Sequence, residues 1–301
     1  MTALQATGLT HRHRRRGPAA LDSVEFSLPQ GSICALVGRN GAGKSTLLEL
    51  AAGVDRPSAG SLTVLGGPVG ATRSRVGYLA QDQPLDPRWR ISDVLRIGAQ
   101  LNPGRWDAAC AAGIVEQGNL STRTRLGALS RGQHTRVALA LVLGKRPDLV
   151  LLDEPMADLD PLARHELTGT LLGHATEHGA TVLLSSHHTG ELADVCDHLL
   201  LLDGGRLRLS GSIDDLLEAH LNATGPGGID ELAPHTLVTH QRSGRGTAAL
   251  LRPGGPLPRT WHGTAPTLDE LILAYLGSPD APALHLSPAA DPGPRESQPT
   301  P

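Results

Sequence analysis

Short runs of apolar residues alternate with longer stretches of mixed polarity over the first two thirds of the chain. The apolar runs predict strands at 32–37, 149–152, 181–184 and 198–202, and the longer stretches predict helices at 44–52, 132–143, 162–178 and 190–196. Short, continuously apolar strands separated by helix-length segments are typical of parallel sheets that are covered on both faces. We therefore predict an α/β core built from residues 1–84 and 130–215.

A different pattern interrupts this core at residues 85–129. Apolar positions recur at helical spacing in 91–101 and 106–117, which predicts a helical subdomain inserted into the core. This insertion also holds two of the three tryptophans, Trp89 and Trp106, in a chain that has few aromatic residues.

The remainder of the chain predicts a small C-terminal domain and a tail. Residues 212–276 contain a capped helix at 212–220, two short strands at 235–240 and 247–252, and a helix at 268–276. Residues 277–301 are rich in Pro, Ala and Ser and cannot bury enough apolar surface to offset their ordering entropy. We expect that segment to be disordered.

Composition and charge narrow the possible functions. The 301 residues carry a formal net charge of −3, whereas a chain that wraps nucleic acid needs an excess of Lys and Arg. The three cysteines are not spaced as metal ligands, which predicts reduced thiols in an intracellular protein. The sequence shows neither a signal peptide nor an apolar run of about 20 residues, so the chain is expected to be soluble by itself.

A glycine-rich motif stands between the first of these strands and the first helix. It matches the pattern G-x-x-x-x-G-K-[ST] and consists of Gly38, Arg39, Asn40, Gly41, Ala42, Gly43, Lys44, Ser45 and Thr46. The glycines allow the backbone to turn its N–H groups inward around phosphate oxygens, and the helix that follows adds the positive end of its dipole. Lys44 is expected to reach the β- and γ-phosphates of a nucleotide, and the Ser45 hydroxyl is expected to ligate Mg²⁺.

A pair of acids follows a second predicted strand. Asp153 and Glu154 come directly after the apolar run 149–152, and ligands of open α/β sheets bind at the carboxyl ends of the strands. We expect Asp153 to hold Mg²⁺ through water. Glu154 is expected to orient and deprotonate the attacking water, which makes it the candidate general base.

A third motif resembles a known family. The residues Leu129, Ser130, Arg131, Gly132 and Gln133 precede a predicted helix, and together with the two motifs above they resemble the signature of ATP-binding cassette (ABC) ATPases. Other family segments follow in order: a Q-loop at Gln81, a D-loop at 155–160 and a switch-histidine segment at 185–188. The resemblance covers about residues 4–211 and implies a P-loop NTPase fold with a helical signature subdomain.

The resemblance also implies how the nucleotide is bound. In this family two cassettes pack head to tail, so Ser130 and Gly132 would bind the γ-phosphate that is held by the partner's phosphate loop. Gln133 and Asp160 are carried over in the same way as nucleotide-contacting residues.

Two further residues take catalytic roles from the resemblance. Gln81 would contact the metal or the attacking water and report the nucleotide state to a coupled subunit. His187 would hydrogen-bond the γ-phosphate; His188 is the alternative, but the spacing from His187 to Glu191 fits the family better.

Histidines provide further candidates. His13 stands where the family places an aromatic side chain that stacks on adenine, so it is a candidate adenine contact, while the basic run from His11 to Arg16 is otherwise expected to be a solvated loop. His174 and His178 have metal-ligand spacing on a predicted helix, but no third ligand is evident, and we expect them to be surface histidines.

The resemblance implies the ATP-binding subunit of an ABC transporter, similar to bacterial drug-export types. Such a protein uses ATP and Mg²⁺, pairs with a second cassette, and binds a separate membrane permease at the cytoplasmic face of the membrane, here with export expected. The alternative is a soluble ABC ATPase acting in translation or chromosome maintenance. A GTPase is not supported, because none of the asparagines is followed by Lys as guanine recognition requires.

Overall fold

The computed structural model describes residues 1–14, 17–157, 159–186, 195–244 and 246–286. The strands are β1 Thr2–His11, β2 Leu21–Pro29, β3 Ile33–Gly38, β4 Ala59–Val64, β5 Gly67–Pro68, β6 Val76–Leu79, β7 Leu149–Leu152, β8 Thr181–Ser186, β9 His198–Asp203, β10 Arg206–Ser212, β11 Leu221–Gly225, β12 Thr236–Ser243, β13 Gly246–Arg252, β14 His262–Thr264 and β15 Leu284–His285. The helices are α1 Lys44–Ala52, α2 Val69–Thr72, α3 Ile91–Leu101, α4 Ala108–Gln117, α5 Arg131–Gly144, α6 Pro161–His178, α7 Ile213–Glu218 and α8 Leu268–Gly277. None of the helices within these ranges is both long and apolar enough to cross a membrane.

A seven-stranded sheet forms the centre of the molecule. Its order is β15-β10-β9-β3-β8-β7-β6, and the strands from β9 to β6 are parallel. Strands β3, β7, β8 and β9 are the four predicted from their apolar runs, and β7 is buried along its whole length because helices cover both faces. The predicted α/β fold class is confirmed.

A second sheet, which the sequence analysis did not predict, covers one face of the centre. Its order is β2-β1-β4-β5, and its neighbouring strands are antiparallel. Leu4 and Leu9 of β1 share a buried cluster with Leu47 and Leu48 of α1 and with Leu36 of β3. Helix α1 is therefore packed between the two sheets, which fixes the position of the glycine-rich loop that precedes it.

The predicted helical insertion contains α3 and α4, which pack on α5. Trp106 lies against Gly98 of α3 and Gly144 of α5, where an added Cβ would lie 2.4 and 2.9 Å from the indole ring. The absence of side chains at these two positions makes room for the ring between the helices. Trp89, in contrast, is an exposed side chain.

The C-terminal region folds back onto the centre. The strands β12-β13-β11-β14 form a small antiparallel sheet, of which the sequence analysis predicted only β12 and β13. Leu271 and Tyr275 of α8 belong to the same buried cluster as Leu199 and Leu201 of β9. Residues 212–276 thus share a hydrophobic core with the α/β sheet.

The prediction of a disordered tail is wrong for residues 277–286. Strand β15 pairs in parallel with β10 at the edge of the central sheet, and Arg208 donates hydrogen bonds to the carbonyls of Ser278 and Ala281 at 3.1 and 2.7 Å. Leu284 and Leu286 also pack against the core. These contacts offset the ordering entropy that composition alone predicted to be decisive. Residues 287–301 lie outside the described residues.

Candidate functional site

The glycine-rich loop forms a tight turn from β3 into α1. An added Cβ on Gly38 would lie 2.3 Å from the carbonyl oxygen of Leu202, and Gly43 has a φ of +106° with the Ala20 carbonyl oxygen 2.5 Å from the Cβ position. Side chains are excluded at both positions, because a Cβ would overlap the neighbouring backbone. The loop therefore requires the glycines that the motif contains.

Lys44 is buried inside this loop. Its side chain is 6% exposed, and its ammonium group donates hydrogen bonds to the carbonyls of Gly38 and Arg39 at 2.9 and 3.4 Å. The same Nζ lies 3.5 Å from Oε1 of Glu154, whose side chain is 12% exposed. The predicted phosphate-binding lysine and the predicted general base thus meet at one place in the fold.

Ser185 holds the acid pair in position. Its hydroxyl donates to Asp153 Oδ1 at 2.7 Å and accepts the N–H of Glu154 at 2.8 Å. Asp153 is 2% exposed, and its own N–H donates to the carbonyl of Leu79. Ser185 belongs to the predicted switch segment, but the sequence gives it no role of its own, because nothing in the local pattern shows that β8 lies beside β7.

The backbone at Glu154 adopts an uncommon conformation, with a φ of +48°. Non-glycine residues with positive φ carry a strain of about 1–3 kcal/mol and persist only where the surroundings impose them. The Ser185 hydroxyl bound to the Glu154 N–H is one such constraint.

Nearby, burial and the charge of Asp153 raise the pKa of Tyr78 above its usual range, so this phenol stays protonated.

Gln81 lies beyond the end of β6 as an exposed residue. Two residues further on, the amide of Gln83 donates to the Thr135 hydroxyl at 3.0 Å, and its Oε1 lies 3.1 Å from Nδ1 of His134. Burial and the charge of Arg131 lower the pKa of His134. Gln83 thus joins the segment after β6 to the helix of the signature motif, a connection that the sequence analysis missed.

The signature residues form the start of α5. Ser130 caps the helix by accepting the N–H of Gln133 at 3.3 Å, while the Gln133 side chain accepts the N–H of Ser130 at 3.0 Å. Asp160 caps α6 by accepting the N–H of Ala163 at 2.9 Å. These residues and Gly132 line one cleft together with Leu159, and no residue of the phosphate loop lines it.

Two contacts connect the phosphate loop with distant segments. His13 is exposed, and its Nε2 lies 3.3 Å from the Thr46 hydroxyl. The ring of this candidate adenine contact therefore lies beside the phosphate loop. Arg39 donates from Nη2 to the carbonyl of Leu276 in α8 at 2.6 Å. The C-terminal region therefore touches the loop directly.

Several predicted residues cannot be placed. His187, its alternative His188, Glu191, Asp158 of the D-loop and most of the helix expected at 190–196 lie outside the described residues. The described part of the site consists of the phosphate loop, the acid pair, Gln81 and the signature cleft.

A glycine-rich loop joins a parallel strand to a helix, and an acid pair lies at the end of a nearby strand. This arrangement defines a P-loop nucleoside triphosphatase. Comparisons with known proteins specify the class further. The sequence profile of the family described as "ABC transporter" matches residues 21–157. The aliphatic sulfonates import ATP-binding protein SsuB of Pseudomonas putida is 35% identical over 259 residues, which are 85% of this chain and 92% of that protein.

Solved structures agree with this relationship. The ATP-binding subunit of an ABC transporter superposes with a TM-score of 0.65 at 25% identity and covers 72% of this chain and 92% of its own. The cbiO1 protein of Clostridium perfringens, part of the ABC transporter complex cbiONQ, gives a TM-score of 0.62 at 25% identity, over 72% of this chain and 91% of its own.

The chain belongs to the ATP-binding subunits of ABC transporters, and like them it is an ATPase coupled to transport. The family predicted from the motifs is confirmed. The predicted export direction is not supported, because the curated relatives are named as import proteins.

Proposed function

We propose that this chain binds and hydrolyses MgATP at the phosphate loop and thereby drives a separate membrane permease. The contact of 3.5 Å between Lys44 and Glu154 carries the proposal, since it brings the phosphate-binding cation next to the candidate base. A phosphate group bound by Lys44 would lie beside Glu154, which would orient the attacking water. Proton removal by a base placed in this way typically contributes about 10²–10⁴ in rate.

The phosphate loop and the acid pair both offer oxygen donors of the kind that Mg²⁺ prefers. The carboxylate of Asp153 is buried and held by Ser185, and Ser45 follows Lys44 at the start of α1. Hard cations such as Mg²⁺ prefer this kind of donor set. We assign Ser45 and Asp153 to hold the ion, and the exposed Gln81 to contact it from the solvent side. The bound ion would neutralise charge on the phosphates.

The signature cleft supports a site that is shared between two cassettes. Ser130 and Gly132 stand at the N-terminus of α5, which suits an anion, but their cleft contains no residue of the phosphate loop. In the proposed assembly each cassette offers this cleft, together with Gln133 and Asp160, to the nucleotide that the other cassette holds. The partner is a second copy of this chain or a related cassette.

We further propose that the transporter works in the direction of uptake. The support is the set of curated relatives at 35–36% identity, which are named as aliphatic sulfonates import proteins. In this arrangement the chain acts at the cytoplasmic face of the membrane, bound to its permease.

One experiment tests both the coupling and the direction. The chain would be purified with its associated membrane proteins, reconstituted into vesicles, and supplied with ATP only on the side that carries the cassettes. Uptake requires the transported solute to move toward the ATP-containing side, whereas movement away from it would contradict the proposed direction. Recovery with ribosomes or DNA and without an integral membrane protein would instead favour the alternative of a non-transport ATPase.

His13 is proposed to contact adenine, since it lies beside Thr46 at the phosphate loop. A tyrosine offers a larger ring for stacking than imidazole does. His13→Tyr should therefore bind ATP more tightly than the parent chain when measured by calorimetry. An unchanged or weaker affinity would argue against stacking at this position.

A further inference from the structure

The basic run that begins at His11 was expected to be a solvated loop, yet His11 is the last residue of β1 and only 4% exposed. Its Nδ1 lies 3.0 Å from the carbonyl oxygen of Arg56. A carbonyl oxygen only accepts, so Nδ1 must carry the proton, and in the neutral ring Nε2 presents a bare lone pair. The ring is thereby fixed in one tautomer and one orientation.

Nε2 of His11 faces Asp55. It lies 3.2 Å from Oδ2 of that carboxylate, but the two atoms are not in hydrogen-bond geometry, and among the described residues this buried nitrogen has no hydrogen-bond partner. A proton on Nε2 would make this contact an ion pair, and a cation bound by both atoms would also account for the missing hydrogen-bond geometry. The other oxygen of Asp55 is occupied, because it accepts the N–H of Arg56 at 2.6 Å.

His13 completes a group of three. Its ring lies 4.9 Å from the His11 ring between centroids, and the ligand atoms of His11, His13 and Asp55 all lie within 4.8 Å of one another. Within the described ranges this is the one group of three or more His, Cys, Asp or Glu side chains close enough to share an ion.

The distance between His11 and Asp55 agrees with tetrahedral coordination. Two ligands at about 2.0–2.1 Å from a zinc ion are about 3.3 Å apart at the tetrahedral angle, which matches the 3.2 Å between His11 and Asp55. Coordination also explains why this pair is close without being hydrogen-bonded. The hydrogen bond from Nδ1 to a backbone carbonyl is the contact that metal-bound histidines usually make with their second nitrogen.

Hydrogen bonds hold the backbone that carries two of the three ligands, His11 and Asp55. The carbonyl of His11 accepts the N–H of Ala20 at 2.8 Å, and the loop that carries Asp55 is attached to β1 by the N–H of Ser58, which donates to Thr10 at 2.8 Å. His13 is exposed, so its ring can rotate the short distance that remains.

We propose that His11, His13 and Asp55 form a binding site for a divalent transition metal of the zinc class, with a water molecule as the fourth ligand. Two imidazoles and one carboxylate suit Zn²⁺ and not Mg²⁺, which prefers oxygen ligands throughout. This site is separate from the proposed Mg²⁺ position at Ser45 and Asp153. It lies beside the phosphate loop, because His13 also contacts Thr46.

The test is Zn²⁺ binding by the full, tag-free chain without nucleotide, measured by competition with a chromophoric chelator. The variants His13→Gln and Asp55→Asn change exposed side chains and should each weaken Zn²⁺ binding at least 10-fold. The control is His178→Gln, which removes the pair with His174 on α6, where the rings are 4.6 Å apart. This control should bind Zn²⁺ within about twofold of the parent chain.

Co²⁺ provides a second measurement. The parent chain loaded with Co²⁺ should show the intense visible absorption of a tetrahedral ion, and His13→Gln should lose it. Equal Zn²⁺ affinity in the parent chain and Asp55→Asn would overturn the proposal, and so would loss of binding in His178→Gln alone.

Discussion

The Nζ of Lys44 and the Oε1 of Glu154 lie 3.5 Å apart, although the two residues belong to motifs more than 100 positions apart in the sequence. Glu154 follows β7, which pairs with β8, and β8 pairs with β3, which leads into the loop that carries Lys44. The contact therefore depends on the order of the strands in the central sheet.

Glu154→Gln should bind ATP with unchanged affinity and lower the rate of hydrolysis by about 10²–10⁴-fold, because the amide keeps the shape of the side chain and loses the base. Phosphate release with excess ATP measures the rate, and size-exclusion chromatography with ATP should show a trapped dimer. A parental rate of hydrolysis would show that Glu154 is not the base.

Lys44→Ala should abolish measurable ATP binding, since it removes the buried cation of the loop. Fluorescence titration with a nucleotide analogue measures this loss. Arg96→Ala is the matched control, because Arg96 is an exposed cation that pairs with Asp93 on α3. Equal loss in both variants would contradict a specific role for Lys44.

Ser185→Ala should lower the rate of hydrolysis about 10-fold or more and leave the chain folded. The variant removes the donor to Asp153 and the acceptor of the Glu154 N–H, and leaving buried polar groups unpaired costs about 1–3 kcal/mol. Ser210→Ala is the control, because this buried serine of β10 contacts His285 instead. Similar rates in the two variants would show that the Ser185 hydroxyl does not position the acid pair.

Arg39→Ala should loosen the end of α8. Its guanidinium donates to the carbonyl of Leu276, and loss of such a bond costs about 1 kcal/mol, equivalent to about fivefold faster amide exchange in the last turn of the helix. Hydrogen–deuterium exchange of the peptide that covers 268–277 measures the change. Unchanged exchange, as expected for the control Arg96→Ala, would show that the contact does not hold the helix.

The free energy of unfolding should fall as the pH is lowered from about 6.5 to 4. The expectation that His174 is a surface histidine is wrong, because its side chain on α6 is only 6% exposed. This burial lowers its pKa from 6.5 to about 4, with a smaller effect from His178. Between these values the unfolded chain binds a proton that the native chain does not bind, so acid favours unfolding in this window and the effect levels off below it. The full contribution is about 1–3 kcal/mol.

Urea denaturation at a series of pH values measures this dependence. His174→Leu should reduce the slope between pH 6.5 and 4, because the titrating group is gone. His240→Leu, at an exposed position on β12, should keep the parental slope. A parental slope in His174→Leu would assign the pH dependence to other groups.

The motifs whose residues are contiguous in the sequence were predicted together with the helices and strands that carry them. Helix α3 occupies 91–101 and α1 occupies 44–52 as expected, because the pattern of apolar residues is a local signal. The antiparallel sheet that contains β1 was missed, although the strand is ten residues long. Its burial depends on α1 and the central sheet covering one side, which no local pattern reports.

The sequence by itself determined the phosphate loop, the acid pair, the signature helix and the α/β class, because each depends on residues that are adjacent or periodic. The tertiary structure decided that Ser185 joins Asp153 to Glu154, that Arg39 reaches Leu276 and that His11 is buried against Asp55. It also decided that the two-residue strand β15 joins the central sheet. These contacts depend on the order of the strands and on the free edge of the central sheet at β10. They stabilise the fold only after segments that are distant in the sequence have packed together.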